Sequence, residues 1–323
     1  MHVLVCGGAG YIGSHTCYAL HRAGHKVTVF DNLSTGHAES VRWGALHRGD
    51  LLDPASLDAV LSQGDVDAVM HFSALSIVSE SMREPDRYFR NNVEGTANLL
   101  TAMRKHGVRR LVFSSTAATY GNPQTPLIDE SHPTQPINPY GESKIAAERL
   151  LQQAALDGDL DSVALRYFNA AGAAPAERIG ESHDPETHLI PNVLKSALGT
   201  GPTLTVFGTD YPTPDGTCVR DYIHVVDLAD AHIRALHYLD RTAGHHVFNL
   251  GTSTGNSVME VIEQARDVTG VGMAFEMQGR REGDPAVLVA SNAKAKAELG
   301  WTPQRDLRHI IADAWSWHRD PAF

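Results

Sequence analysis

Gly7-Gly8-Ala9-Gly10-Tyr11-Ile12-Gly13 follows a short apolar run, Val3–Cys6, and opens an amphipathic one, Ile12–Ala23. Glycines in that place let a strand turn sharply into a helix and bring the backbone close to a ligand. They also leave the unpaired N–H groups of the helix start facing an anion. The segment reads as G-x-x-G-x-x-G from Gly7 or G-x-G-x-x-G from Gly8, with Gly7, Gly10 and Gly13 as candidate cofactor positions. A tight turn without a ligand would look similar, but a strand before it and a helix after it favour phosphate binding.

The first half of the chain repeats this alternation. Val3–Cys6, Lys26–Asp31, Ala68–Phe72, Arg110–Ser115 and Ser162–Phe168 are rich in Val, Leu and Phe and read as buried strands. Ile12–Ala23, Ala55–Leu61, Val93–Lys105 and Gly141–Ala154 carry helical spacing. The alternation predicts an α/β chain, a Rossmann-type doubly wound parallel sheet with right-handed crossovers and helices on both faces. After Asn169, Gly, Pro and Ala thicken at Ala170–Gly180 and Tyr211–Gly216, and strand-like runs return at Ile223–Val226 and Val247–Leu250. The expected organisation is a cofactor-binding Rossmann domain over 1–168 and a smaller C-terminal α/β substrate lobe over 169–323. Segments near 221–252 are expected to return to the first domain.

Asp31 ends the second strand, where a carboxylate can accept from adenosine ribose hydroxyls and repel a 2′-phosphate. NAD is therefore expected rather than NADP, against the alternative that Asp31-Asn32 only begins a turn. Tyr140-Gly-Glu-Ser-Lys144 puts a phenol and an ammonium four apart, on one helix face. A free tyrosine titrates at about 10, and a neighbouring ammonium favours the phenolate, making Tyr140 a candidate base and Lys144 its partner. Leu111-Val-Phe-Ser-Ser115-Thr116 delivers hydroxyls at the carboxyl end of an apolar strand, where ligands bind in open α/β sheets. Thr116 can bridge a substrate oxygen and the phenol. Read singly, Ser114, Ser115 and Thr116 would be strand-end residues, and a surface Tyr–Lys contact would be the plain account of the pair.

A formal charge of −11 argues against a nucleic-acid partner. Cys6, Cys17 and Cys218 cannot build a disulfide framework, which fits a reducing, cytoplasmic setting. No apolar run reaches the roughly 18 residues of a membrane span. The 18 histidines raise the question of metal, but His21 and His25 straddle Gly24, and His245-His246 lacks a local carboxylate or cysteine. Neither matches a zinc spacing, so no metal is expected.

The glycine loop, Thr116 and Tyr140–Lys144 resemble the extended short-chain dehydrogenase/reductase superfamily. Within it the chain is similar, over essentially its whole length, to the UDP-sugar 4-epimerase family. The resemblance is also carried by His71-Phe-Ser-Ala-Leu75, Asn91-Asn-Val-Glu-Gly-Thr96, Leu165-Arg-Tyr-Phe-Asn169, Val219-Arg-Asp-Tyr-Ile-His224 and Arg280-Arg-Glu-Gly-Asp284. It implies NAD contacts at Tyr11, Ile12, Asp31, Asn32, Leu33, Ser34, Thr35, Gly36, Asp50, Leu51, Phe72, Ser73, Ala74, Leu75, Ser76 and Asn91. Ser114, Thr116, Tyr140, Lys144 and Phe168 would lie on the nicotinamide side. UDP-sugar contacts would come from Thr116, Tyr140, Asn169, His188, Leu189, Phe207, Arg220, Arg281, Asp284 and Leu288. Arginines suit a diphosphate, and Asp284 suits ribose hydroxyls. Without the resemblance, both arginines would read as surface ion-pair partners.

The implied activity is interconversion of UDP-galactose and UDP-glucose, through hydride transfer from C4 to NAD, rotation of the 4-keto sugar and hydride return. The implied assembly is a homodimer built on the helices around Val93–Lys105 and Gly141–Ala154. Ser76 stands where some family members carry a lysine, which loosens a cofactor contact. Leu288 stands where side-chain bulk governs acceptance of UDP-N-acetylhexosamines, and leucine is intermediate, leaving that substrate class open. A 4,6-dehydratase would need acids after the threonine, whereas Thr116 is followed by Ala117-Ala118-Thr119. A non-catalytic NAD(H) redox sensor is the alternative from another class, against which the retained Tyr–Lys pair and the two arginines speak.

Overall fold

The computed structural model describes residues 1–281 and 284–323. Seven parallel strands form the central sheet. In chain order β1 is His2–Cys6, β2 Lys26–Asp31, β3 Ala45–Arg48, β4 Ala68–His71, β5 Arg110–Thr116 and β6 Asp161–Tyr167. There follow the short strands β7 (Asn169–Ala171), β8 (Leu204–Phe207), β9 (Val219–Arg220) and β10 (Tyr222–His224). Then come β11 (His245–Leu250), β12 (Asn256–Ser257), β13 (Phe275–Gln278) and β14 (Val287–Leu288). The large sheet runs β11-β6-β5-β4-β1-β2-β3, so strand order reverses between β1 and β4 and opens a crevice at their carboxyl ends.

The helices are α1 (Tyr11–Arg22), α2 (Pro54–Leu61), α3 (Val78–Ser81), α4 (Pro85–Phe89), α5 (Gly95–Lys105), α6 (Pro139–Leu156), α7 (Leu189–Leu198), α8 (Val225–Tyr238), α9 (Val258–Thr269) and α10 (Leu307–Arg319). Strand side chains alternate between faces, and both faces are covered. Val3 and Val5 join a core with Leu20 of α1 and Leu228, Ala231 and Ala235 of α8. Leu4 and Cys6 join the opposite one, with Leu57 of α2, Leu99 of α5 and Leu151 of α6. A third core gathers α7, α9 and α10 around Val206, Tyr222 and Ile262. All three cysteines are free and buried, and no helix among the described residues is long and apolar enough to cross a membrane.

Two expectations change. Ile223–Val226 is not a strand throughout: Val225 and Val226 begin α8, because the His224 ring accepts from Val226 N–H at 3.1 Å and caps the helix. β3 was not anticipated; it is a short edge strand paired only with β2, and no residue in it is fully buried.

Candidate active site

The glycine loop is sterically committed. Gly7 sits at φ +79°, and a Cβ there would lie 2.6 Å from Ser73 N; one at Gly13 would lie 2.1 Å from the Gly7 carbonyl oxygen. Gly10 starts α1 with no side-chain cap, and the first turn holds no acid. The N–H groups at that end are left for an anion, favoured further by the helix dipole. Asp31 accepts from Ala9 N–H at 3.0 Å and Leu33 N–H at 2.9 Å, joining the loop to the end of β2. Each carboxylate oxygen keeps a further lone pair for a ligand hydroxyl.

From that loop a crevice runs past Tyr11, Ile12, Asn32, Ser34, Thr35, Gly36, Asp50 and Leu51, then Phe72 to Ser76 and Asn91, to Ser114, Thr116, Tyr140, Lys144 and Phe168. An anion-binding helix start, an acceptor carboxylate and a long partly apolar wall fit a dinucleotide. Leu33 is outside this wall; it turns the chain at φ 60° and gives Asp31 its N–H.

The inner end is built by α6 and β5. Asn138 accepts from Gly141 N–H at 2.9 Å and Pro139 fills the first turn, fixing where α6 starts and so where Tyr140 and Lys144 face. Lys144 is 2% exposed, with Nζ 4.3 Å from the Phe113 ring centroid. Burial pulls its ammonium down to about 7, against the raising effect of Glu148. Burial raises the Tyr140 phenol, opposed by its hydrogen bond to Thr116. In the protein alone desolvation outweighs the effect of Thr116, since losing water disfavours the charged form, and the phenolate-favouring effect expected of Lys144 does not act on the phenol here.

Partners not anticipated from sequence hold this end in place. Asn92 accepts from Leu75 N–H at 2.9 Å and donates to Leu75 O at 3.0 Å and Ser143 Oγ at 2.9 Å, tying the loop after β4 to α6. Ser114 Oγ and Tyr167 OH share a hydrogen bond behind Thr116. The resemblance had placed Asn92 and Tyr167 inside quoted motifs, but only the fold shows what they touch.

A second cavity is walled by Asn169, His188, Leu189, Phe207, Arg220, Arg281 and Asp284. It meets the crevice at Asn169, Ala170 and His188. Arg281 lays its guanidinium 3.9 Å from the Phe207 ring centroid. Arg220 donates to Asp284 at 2.5 Å and to the carbonyls of Val219 and Pro285 at 2.9 Å. Leu288 is not among the walls of either cavity; it pairs on β14 with Arg220 of β9. Glu282 and Gly283 of the quoted Arg280–Asp284 motif lie outside the described residues.

Where the cavities meet, His188 and His183 lean on buried carboxylates. Glu181 receives His188 Nδ1 at 2.8 Å and His183 Nδ1 at 3.1 Å. Burial opposes the charge on Glu181, but the two histidines hold its carboxyl below the usual range. His188 is raised to about 10: burial works against its charge, and Glu181 and Glu186 outweigh it.

A model of the NAD dependent epimerase/dehydratase family matches residues 3–251. The chain is 52% identical over 316 residues to a UDP-glucose 4-epimerase of Rhizobium leguminosarum bv. trifolii, covering 98% of this chain and 97% of that one. Its structure superposes on UDP-glucose 4-epimerase from Brucella ovis in complex with NAD at a TM-score of 0.95, with 47% identity and 97% of each chain covered. On the enzyme from Bifidobacterium longum in complex with NAD+ and UDP, the TM-score is 0.94 at 38% identity, over 99% of this chain and 98% of that one.

Proposed function

The chain belongs to the NAD dependent epimerase/dehydratase family, and we propose that it interconverts UDP-galactose and UDP-glucose at C4, with Tyr140 moving the proton. The observation that carries this reading is the seam at Asn169, Ala170 and His188, where the crevice holding Tyr140, Thr116 and Lys144 opens into the cavity of Arg220, Arg281 and Asp284. A sugar lying across that seam has its ring at the phenol while its nucleotide stays in the second cavity.

NAD in the crevice supplies the reversible oxidation at C4. Tyr140 takes the 4-hydroxyl proton as oxidation proceeds, and Thr116 orients the shared hydrogen bonds. Lys144 in its ammonium form, with the positive charge of the cofactor, offsets the burial that otherwise keeps the phenol protonated. Arg220 and Arg281 anchor the diphosphate and Asp284 the ribose, so the 4-keto sugar can turn over without leaving. Tyr140 then returns the proton on the other face. The protein's own contribution is thus orientation and charge, with the cofactor carrying the redox step.

Residues 1–168 serve NAD and 169–323 mainly the sugar nucleotide, with segments near 221–252 returning to the first domain. The place of β11 beside β6 and the packing of α8 on α1 support that division. We place the protein in the cytoplasm as a homodimer joined through α5 and α6. Buried, unpaired cysteines and the exposed Leu156 at the end of α6 support this, and sedimentation tests the dimer.

The direct test gives purified protein UDP-galactose, with and without added NAD, and follows products by proton NMR. UDP-glucose is the expected product. No product in either condition would overturn the assignment.

A further inference from the structure

Between β7 and α7, Glu181, His183, Glu186 and His188 each offer one ligand atom, and these four atoms all lie within 4.8 Å of one another. The carboxylates are sunk into the protein, each side chain 4% exposed, while His183 and His188 face outward at 33% and 52%. One oxygen of Glu186 is occupied: Oε1 accepts from the N–H groups of Thr187 and His188 at 2.8 Å and from His188 Nδ1 at 3.0 Å. The other, Oε2, is buried with no hydrogen-bond partner, and His183 Nδ1 stands off at 3.9 Å. A buried carboxylate oxygen without a donor is costly, and proteins rarely leave one so.

We propose that these four side chains bind a divalent transition-metal ion of the Zn2+ type. Two carboxylates and two imidazoles match such an ion in charge and in donor type, whereas Mg2+ and Ca2+ prefer all-oxygen shells. With bonds of about 2.0–2.2 Å, neighbouring ligand atoms in a tetrahedral site stand roughly 3.3–3.6 Å apart. Three of the distances among the donors, 2.8, 3.1 and 3.9 Å, straddle that value and none exceeds 4.8 Å, so modest side-chain movements suffice. Binding replaces N–H···O contacts by N–metal and O–metal bonds, and the ring protons leave to solvent. Two anchors hold the segment: the Glu181 carbonyl accepts from Trp317 Nε1 at 2.8 Å, and His188 directly precedes α7 as its N-cap residue. Among the described residues this is the one His/Cys/Asp/Glu group so arranged. The ion would sit at the seam of the two cavities, because His188 belongs to both.

Metal-stripped protein titrated with CoCl2 and read by visible absorption tests this, with ZnCl2 affinity measured against a chromophoric chelator. Expected are saturable d–d bands at one Co2+ per chain, abolished by one equivalent of Zn2+. Glu186→Gln keeps shape and volume, and His183→Ala removes an exposed ring; circular dichroism checks the fold of each. Affinity falling by about 100-fold or more in either folded variant supports the site, since even an outer-shell partner is worth 10–100-fold. No saturable spectral change, or bands and affinity unchanged in both variants, overturns it. The readout does not depend on epimerase turnover.

Discussion

Arg166 meets Glu148 through two parallel hydrogen bonds, Nε to Oε1 at 2.9 Å and Nη2 to Oε2 at 2.5 Å, with the side chains 7% and 4% exposed. Ser115 donates to the same carboxylate at 2.5 Å. Glu148 lies one helical turn beyond Lys144, so this pair fastens α6 to β5 and β6.

Removing one partner leaves the other charge buried alone. Glu148→Ala is expected to lower stability in urea unfolding by about 3–5 kcal/mol. The double change Glu148→Leu with Arg166→Met, which removes both charges, should recover most of that loss.

Tyr140→Phe keeps the ring and deletes the hydroxyl proposed to carry the proton. kcat for UDP-galactose should fall by about 10²–10⁴, the span general acid–base catalysis contributes. NAD binding, followed by calorimetry, should change little. Full activity in the variant would remove Tyr140 from the mechanism.

Burial holds the Lys144 ammonium at about 7, below a free lysine. Above that pH the unfolded chain binds more protons here than the folded one, so this group makes stability rise with pH from about 7 towards about 10.4. Below about 7 the burial penalty on the charged form is fully present. The slope from one group is at most about 1.4 kcal/mol per pH unit. Urea unfolding of cofactor-free protein across that window should show it, and Lys144→Met should flatten it.

Asp31 faces the crevice while holding two backbone N–H groups. Asp31→Asn removes the charge proposed to exclude a 2′-phosphate and turns one acceptor into a donor. Calorimetry should show NAD binding weakened by about 10–100-fold, as expected for losing a charged hydrogen bond. The preference over NADP should shrink in the same titrations.

What sequence made legible was local. The strand, glycine loop and helix from Val3 onward lie in one continuous stretch, as do Asn138-Pro139 and the Tyr140–Lys144 spacing. The edge strand β3 is too short and too exposed to carry a periodic apolar signal. Val225 and Val226 are β-branched and favour a strand, and the His224 cap overrides that preference once the fold supplies it. Glu148 with Arg166, and Asn92 with Leu75 and Ser143, become partners only once separate elements pack together. The Glu181–His188 group has ligand types without a familiar spacing, so nothing short of its geometry marks it.

The position of β11 bears on how this chain is made. Synthesis proceeds from the amino end, yet the strand that covers β6, and the helix α8 that covers α1, emerge only after everything between Tyr167 and Val225. Until then the nascent sheet exposes an apolar face and an unpaired edge, the surfaces on which chains adhere to one another. Completion is therefore a late event on the ribosome. A stop codon before Leu250 should yield a chaperone client prone to aggregate, rather than a smaller working nucleotide binder.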